Sequence, residues 1–79
     1  MASLPGYRTN VRHGGRVFCV RTEDTGSGRV CTHLLRGDRS VATRTSDGTG
    51  ADPVSLRRRM QEQHTAVIVA LRDGRFDFA

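Results

Sequence analysis

Three observations predict an α+β fold, a four-stranded antiparallel meander in the order 1-2-3-4 with one C-terminal helix packed on one face. The segment from Asp52 to Gly74 carries a helix start, stop and period together. Four shorter segments before it alternate or are rich in β-branched residues, and every junction between them is short enough for a hairpin. Short junctions keep sequential strands adjacent, and a lone helix then covers one face of the sheet and leaves the other open.

Residues 1–6, with Pro5-Gly6 as punctuation, read as a flexible lead, and 7–79 as a single small domain. Tyr7 to Arg12 sets Tyr7, Thr9 and Val11 against Arg8, Asn10 and Arg12, the alternation of a strand with one wet face. His13-Gly14-Gly15-Arg16 supplies the positive-φ residues of a tight hairpin. The second strand, Arg16 to Glu23, has apolar residues on both faces, as a central strand does. Thr25-Gly26-Ser27-Gly28 turns the chain into Arg29 to Leu35, Arg36 to Arg39 turns it again, and Ser40 to Thr45 is a fourth strand of high β-propensity. Thr45 to Ala51, rich in Gly, Ser, Asp and Thr, connects to the helix.

Asp52 is placed to accept backbone N–H bonds as N-cap, with Pro53 at the first helical position. Gly74 suits the left-handed residue that closes a helix, and Arg72 lies near the negative end of the dipole. Leu56, Met60, Val67 and Leu71 recur on one stripe at 3.6 residues per turn. The stripe is interrupted where Leu or Ile is expected: Gln63 and His64 put a polar pair inside or beside the apolar face. Ile68 and Val69 broaden the apolar surface. Val69 falls outside the main stripe, wedged against a loop or forming a homodimer contact.

The chain has 79 residues, and a domain of that size buries only about 60% of its unfolded surface. Three Phe, one Tyr and no Trp leave aliphatic side chains to do most of the packing. All 13 basic residues are Arg, against eight acids, for a net charge of +5. That bias fits a GC-rich coding genome, yet the field it creates favours anionic partners. The Arg are scattered, and the one run is the basic patch Arg57-Arg58-Arg59. No apolar stretch approaches the ~18 residues of a membrane span, so no membrane insertion is expected. The N-terminus lacks a basic region followed by a hydrophobic core, which makes a cytoplasmic location the expectation.

Two cysteines without a secretion signal read as free thiols. If the second turn centres near Thr25-Gly26, Cys19 and Cys31 face each other, with His33 two residues along. A zinc site wants four ligands in close pairs, so no metal and no cofactor is expected. His13, His33 and His64 read as turn, sheet-face and helix-edge residues. A catalytic role needs one of them to meet a carboxylate or nucleophile, for example His64 with Glu23 or Asp24, and no spacing forces that meeting. The Thr22–Gly28 loop lacks EF-hand spacing and the Lys of a phosphate loop, and reads as a solvated hairpin end. Arg36-Gly37-Asp38 is explained by turn geometry. For single-stranded nucleic acid only Tyr7 and Phe18 offer rings in the strands, and a one-residue change in the first hairpin decides whether they share a face.

Thr22-Glu23-Asp24-x-Gly26, Thr32-His33-Leu34, Glu62-Gln63-His64 and Ala70-Leu71-Arg72-x-Gly74-x-Phe76-Asp77 together resemble a family of short bacterial proteins of uncharacterised function, over about Phe18 to Asp77. The resemblance implies a bacterial cytoplasmic protein and brings no activity or cofactor with it. It draws interest to Glu23, Asp24, His33 and His64, and it suggests that Gln63-His64 faces the sheet near His33 or the Glu23-Asp24 loop. The sequence as a whole points to a non-catalytic binding or regulatory module for a protein partner, through Glu23, Asp24, His33, Gln63 and His64. The alternative is a small basic nucleic-acid-binding protein.

Overall fold

A computed structural model describes residues 6–26, 28–48 and 52–75. Four strands, β1 (Tyr7–His13), β2 (Arg16–Asp24), β3 (Arg29–Arg36) and β4 (Arg39–Asp47), precede one helix, α1 (Pro53–Arg72). They form one antiparallel sheet in the order β1-β2-β3-β4. The expected lead before Gly6 and the end of the expected domain, with the Phe76-Asp77 motif, lie outside the described residues.

The first hairpin is the tight turn expected: Gly14 and Gly15 have φ of 60° and 76°, which a side-chain-bearing residue adopts only with strain. That turn fixes Val11 opposite Phe18, and so places Phe18 on Tyr7's face of the sheet. The second hairpin is wider. Asp24 pairs with Val30, and between them Thr25 N–H and its hydroxyl both donate to Arg29 O (3.0 and 3.1 Å), while Gly26 N–H donates to Asp24 Oδ1 (3.0 Å). The centre therefore falls two residues later than Thr25-Gly26 suggests. Cys19 pairs with Leu35 and Cys31 with Glu23, which corrects the expectation that the two cysteines face each other. Because the shift is even, both thiols stay on one face.

β4 carries a bulge opposite Leu34/Leu35, a break in the regular ladder of an edge strand. After it, Gly48 N–H donates to Gly28 O (2.7 Å), tying the connection to the second hairpin. A Cβ at Gly48 would sit 2.9 Å from that carbonyl oxygen and 2.8 Å from Leu56 Cδ1, so this crossing needs glycine.

α1 begins as expected: Asp52 is the N-cap, its Oδ1 accepting from Ser55 N–H (2.8 Å), with Pro53 next. Those hydrogen bonds from Ser55 hold the Asp52 carboxyl below its ordinary range. At the other end Gly74 N–H donates to Leu71 O and Arg75 N–H to Ala70 O (3.1 and 2.9 Å), the paired bonds of a Schellman cap. α1 buries Leu56, Met60, Gln63, His64, Val67, Ala70 and Leu71 against the sheet. It lies over β1, β2 and β3, and no α1 Cα comes within 8 Å of one in β4.

The core is consequently in two parts. Val11, Phe18, Val20, Leu34, Val67 and Leu71 pack under the C-terminal half of α1. Val30, Leu56 and Met60, joined by Tyr7, pack under its N-terminal half. No described helix is long and apolar enough to cross a membrane.

Candidate functional site

What separates the two core clusters is a belt of polar side chains. In β2, Thr22 continues the inward alternation of Phe18 and Val20; in β3, Thr32 sits between Val30 and Leu34; in β1, Thr9 precedes Val11. The register sets Thr22 directly opposite Thr32, both essentially inaccessible. Helical spacing puts Gln63 and His64 one turn after Met60 and one turn before Val67, so they descend onto these threonines.

The hydrogen bonds form a directed chain. Gln63 Nε2 lies 3.1 Å from Arg44 O and 3.5 Å from Val30 O, and since carbonyls only accept, the amide orientation is fixed. Its Oε1 accepts from Ser46 Oγ (2.6 Å), and Nε2 also donates to Thr32 Oγ1 (2.9 Å). Thr32 Oγ1 is 2.7 Å from Thr22 Oγ1, which is 2.8 Å from His64 Nδ1. With Thr32 accepting from Gln63, its own proton goes to Thr22, and the Thr22 proton goes to Nδ1. The reverse order would leave the buried Thr32 proton with no acceptor among these groups. His64 is thus the neutral tautomer with its proton on Nε2, donating to Thr9 Oγ1 (2.8 Å). Tyr7 closes the open end, its ring centroid 5.9 Å from the imidazole and its hydroxyl accepting from Gln61 Nε2 (3.2 Å). Burial lowers the His64 pKa from its ordinary value near 6.5.

Glu23 and His33 are on the other side of the sheet, which corrects the expectation that Gln63-His64 meets them. Pairing across the strands makes this open face a grid: Asn10, Cys19, Leu35 and Ser40 in one row, Arg8, Arg21, His33 and Thr43 in the next, then Glu23, Cys31 and Thr45. Arg12 and Val17 flank one end, Arg29 and Asp47 the other. Arg21 Nε is 3.0 Å from Glu23 Oε1, an ion pair by distance without an aligned hydrogen bond. Asp24 belongs to neither cluster; it pins the second hairpin turn through Gly26.

Cys31 Sγ lies 3.3 Å from His33 Nε2, and His33 Nδ1 lies 3.3 Å from Thr43 Oγ1. This has the outline of an activated thiol, but the electrostatics run the other way. Burial first, then the Glu23 carboxylate, push the Cys31 thiol up, with Arg21 only partly opposing them. A thiol so held stays protonated and is a poor nucleophile. Among the described residues no third His, Cys, Asp or Glu joins the pair to complete a metal centre. Both cysteines are free.

Arg57, Arg58 and Arg59 are exposed on α1, the helix that covers the face opposite the open one. Val69, for which the sequence leaves a wedged position against a loop or a homodimer contact, is 43% exposed. A cleft of about 50 Å³ lies where α1 stops short of β4, lined by Thr32, Leu34, Ala42, Thr43, Arg44 and Val67. Sequence reading singled out Gln63 and His64 but missed Thr9, Thr22, Thr32 and Ser46. The available signal was a Thr at an inward position in each of three apolar alternations.

Compared with family models, with curated proteins and with solved structures, the chain matches none.

Proposed function

We propose that the protein is a non-catalytic binding module whose open sheet face takes a protein partner presenting carboxylates. The observation that carries this reading is the charge of that face: among the described residues, four guanidinium groups, Arg8, Arg12, Arg21 and Arg29, stand over two carboxylates, Glu23 and Asp47. Arg8 is set directly opposite Arg21, and Arg21 opposite His33. Like charges in register weaken a sheet, and an anionic partner relieves that cost. Between the arginines, Leu35 and Cys19 are half-buried and Val17 is 52% exposed, so the centre offers apolar contact.

Several features favour this reading over nucleic acid. The described open face has no Phe, Tyr or Trp on which a base could stack, because Tyr7 and Phe18 both face α1. The arginines are also divided between the open face and α1 rather than forming one track. The buried His64 and the protonated Cys31 give no support to an enzyme. Two free thiols fit a reducing compartment, which supports a cytoplasmic location for the module.

The test is amide-shift mapping with a polyglutamate peptide at low salt. The expected result is shifts confined to β1–β3 residues around Arg8, Arg21 and His33, lost in Arg8→Glu/Arg21→Glu and retained in Arg57→Ala/Arg58→Ala/Arg59→Ala. No shifts, or shifts centred on α1, sink the proposal. A random oligonucleotide that binds the same face more tightly than the peptide transfers the assignment to nucleic acid. A twofold molar mass in light scattering at high concentration assigns the face, or Val69, to a second copy.

A further inference from the structure

We propose that His64 is an acid-operated latch: taking up a proton uncouples α1 from the sheet and exposes the surface beneath it. The inference concerns the covered face and does not depend on what binds the open one.

It rests on the direction of the hydrogen-bond chain. The carbonyls of Val30 and Arg44 fix Gln63, Gln63 makes Thr32 an acceptor, Thr32 donates to Thr22, and Thr22 donates to His64 Nδ1. A proton added to His64 must go to Nδ1, the one unprotonated ring nitrogen. Nδ1–H then donates to Thr22 Oγ1, which already accepts from Thr32. The Thr22 proton is displaced from its acceptor, and Thr22 has no exposed surface through which water could provide another. No rearrangement along the chain cures this. Turning Thr32 around would aim its proton at Gln63 Nε2, a donor. Flipping Gln63 would set its carbonyl oxygen against two backbone carbonyl oxygens.

Among the described residues the charge itself finds no counterion. From β1 the ionisable group facing His64 is Tyr7, through its ring. From β2 the covered face carries Asp24, engaged at the hairpin end with Gly26, and from β4 it carries Arg44, which repels a second cation. Glu62, its neighbour on α1, points outward and is exposed. An imidazolium here is buried, unpaired and set in a chain of the wrong polarity. It is relieved once α1 lifts and water enters the belt.

What opening exposes is a usable surface. The inward residues of both clusters flank the belt, and the stripe Met60, Val67 and Leu71 lies opposite them. The device therefore alternates between a closed domain and an acid form in which this apolar surface is exposed to water.

The experiment follows α1 amide exchange and the His64 imidazole nitrogens by NMR from about pH 7.5 to 5, with exchange corrected for its intrinsic pH dependence. One proton of linkage gives an opening constant for α1 that rises up to about tenfold per pH unit once the pH is below the ordinary His value. The rise is expected in the parent protein and in His33→Gln, and is expected to be absent in His64→Gln, whose amide can accept and donate without titrating. Imidazole nitrogens showing the Nε2–H tautomer above the transition support the chain direction. An opening constant independent of pH in the parent protein overturns the proposal, as does the same slope in His64→Gln. If His64→Gln does not fold, the parent titration decides: His64 titrating at or above the free imidazole value overturns the latch.

Discussion

The two faces of this sheet are built from the same strands and solve opposite problems. The covered face buries polar groups and satisfies each through a partner of fixed role: Gln63, His64 and the threonines form one continuous chain between two apolar clusters. The open face exposes charged and thiol groups whose bonds are long, local or solvent-screened, such as Cys31–His33 at 3.3 Å and the half-exposed Arg21–Glu23 pair. Stability should therefore be concentrated on one side and recognition on the other. A lone helix covering three of four strands makes that division possible in so short a chain.

If the division is real, substitutions of similar chemistry must give unequal effects on the two faces. The largest contrast lies in the apolar clusters. Leu71 is fully buried, and Leu71→Ala should cost about 2–5 kcal/mol, enough to unfold much of a domain this small at 25 °C. Leu35, half-buried on the open face, should lose less than about 1 kcal/mol on the same change, within the ordinary spread for less buried positions. Urea denaturation of both variants measures this, and equal losses would show that the open face is also core.

The belt sharpens the contrast with packing held nearly constant. Thr22→Val keeps the shape and removes the hydroxyl that Thr32 donates to and that His64 accepts from. Orphaning buried partners costs about 1–3 kcal/mol. Thr43→Val, on the exposed side of β4, should stay within about 0.5 kcal/mol. A stabilised Thr22→Val would mean that the belt is a cost the fold tolerates rather than a contribution to it.

Acid provides the third comparison. Burial lowers the His64 pKa, so the folded state binds its proton less readily than the unfolded chain. Stability from this group is fully present above its ordinary value near 6.5 and falls as pH drops below it. Asp52, also lowered, acts in a separate window, because its contribution is lost only as pH falls below the ordinary carboxyl value of 3.8. Thermal midpoints should thus decline in two stages on acidification. His64→Gln should remove the upper stage alone, and Asp52→Asn the lower contribution.

Which of these features could be read in the sequence follows from their range. The helix limits were legible because cap, period and closing glycine are local, and the strand faces were legible because alternation is local too. The pairing of Cys19 was not. It depends on whether the second turn centres on Thr25-Gly26 or two residues later, and the bonds of Asp24 and Thr25 that decide this read equally well as a generic solvated loop. Gln63 and His64 stood out as an interruption, but their partners are spread over all four strands and looked like ordinary strand residues. An interruption in one element is visible alone; its satisfaction by Thr9, Thr22 and Thr32 requires register across the sheet.

The smallest expected effect on folding is the most informative about recognition. Arg21 and Glu23 pair across a half-exposed distance of 3.0 Å, and such pairs contribute about 0–1 kcal/mol. Arg21→Ala removes that pair but also relieves the repulsion from Arg8 directly opposite, so the net change in stability should be near zero or slightly favourable. Losing a central guanidinium should nonetheless weaken binding of a carboxylate-rich peptide at low salt, with the difference shrinking as salt is raised. A marked loss of stability in Arg21→Ala would place this arginine in the framework of the fold instead, and would leave the open face without its central contact.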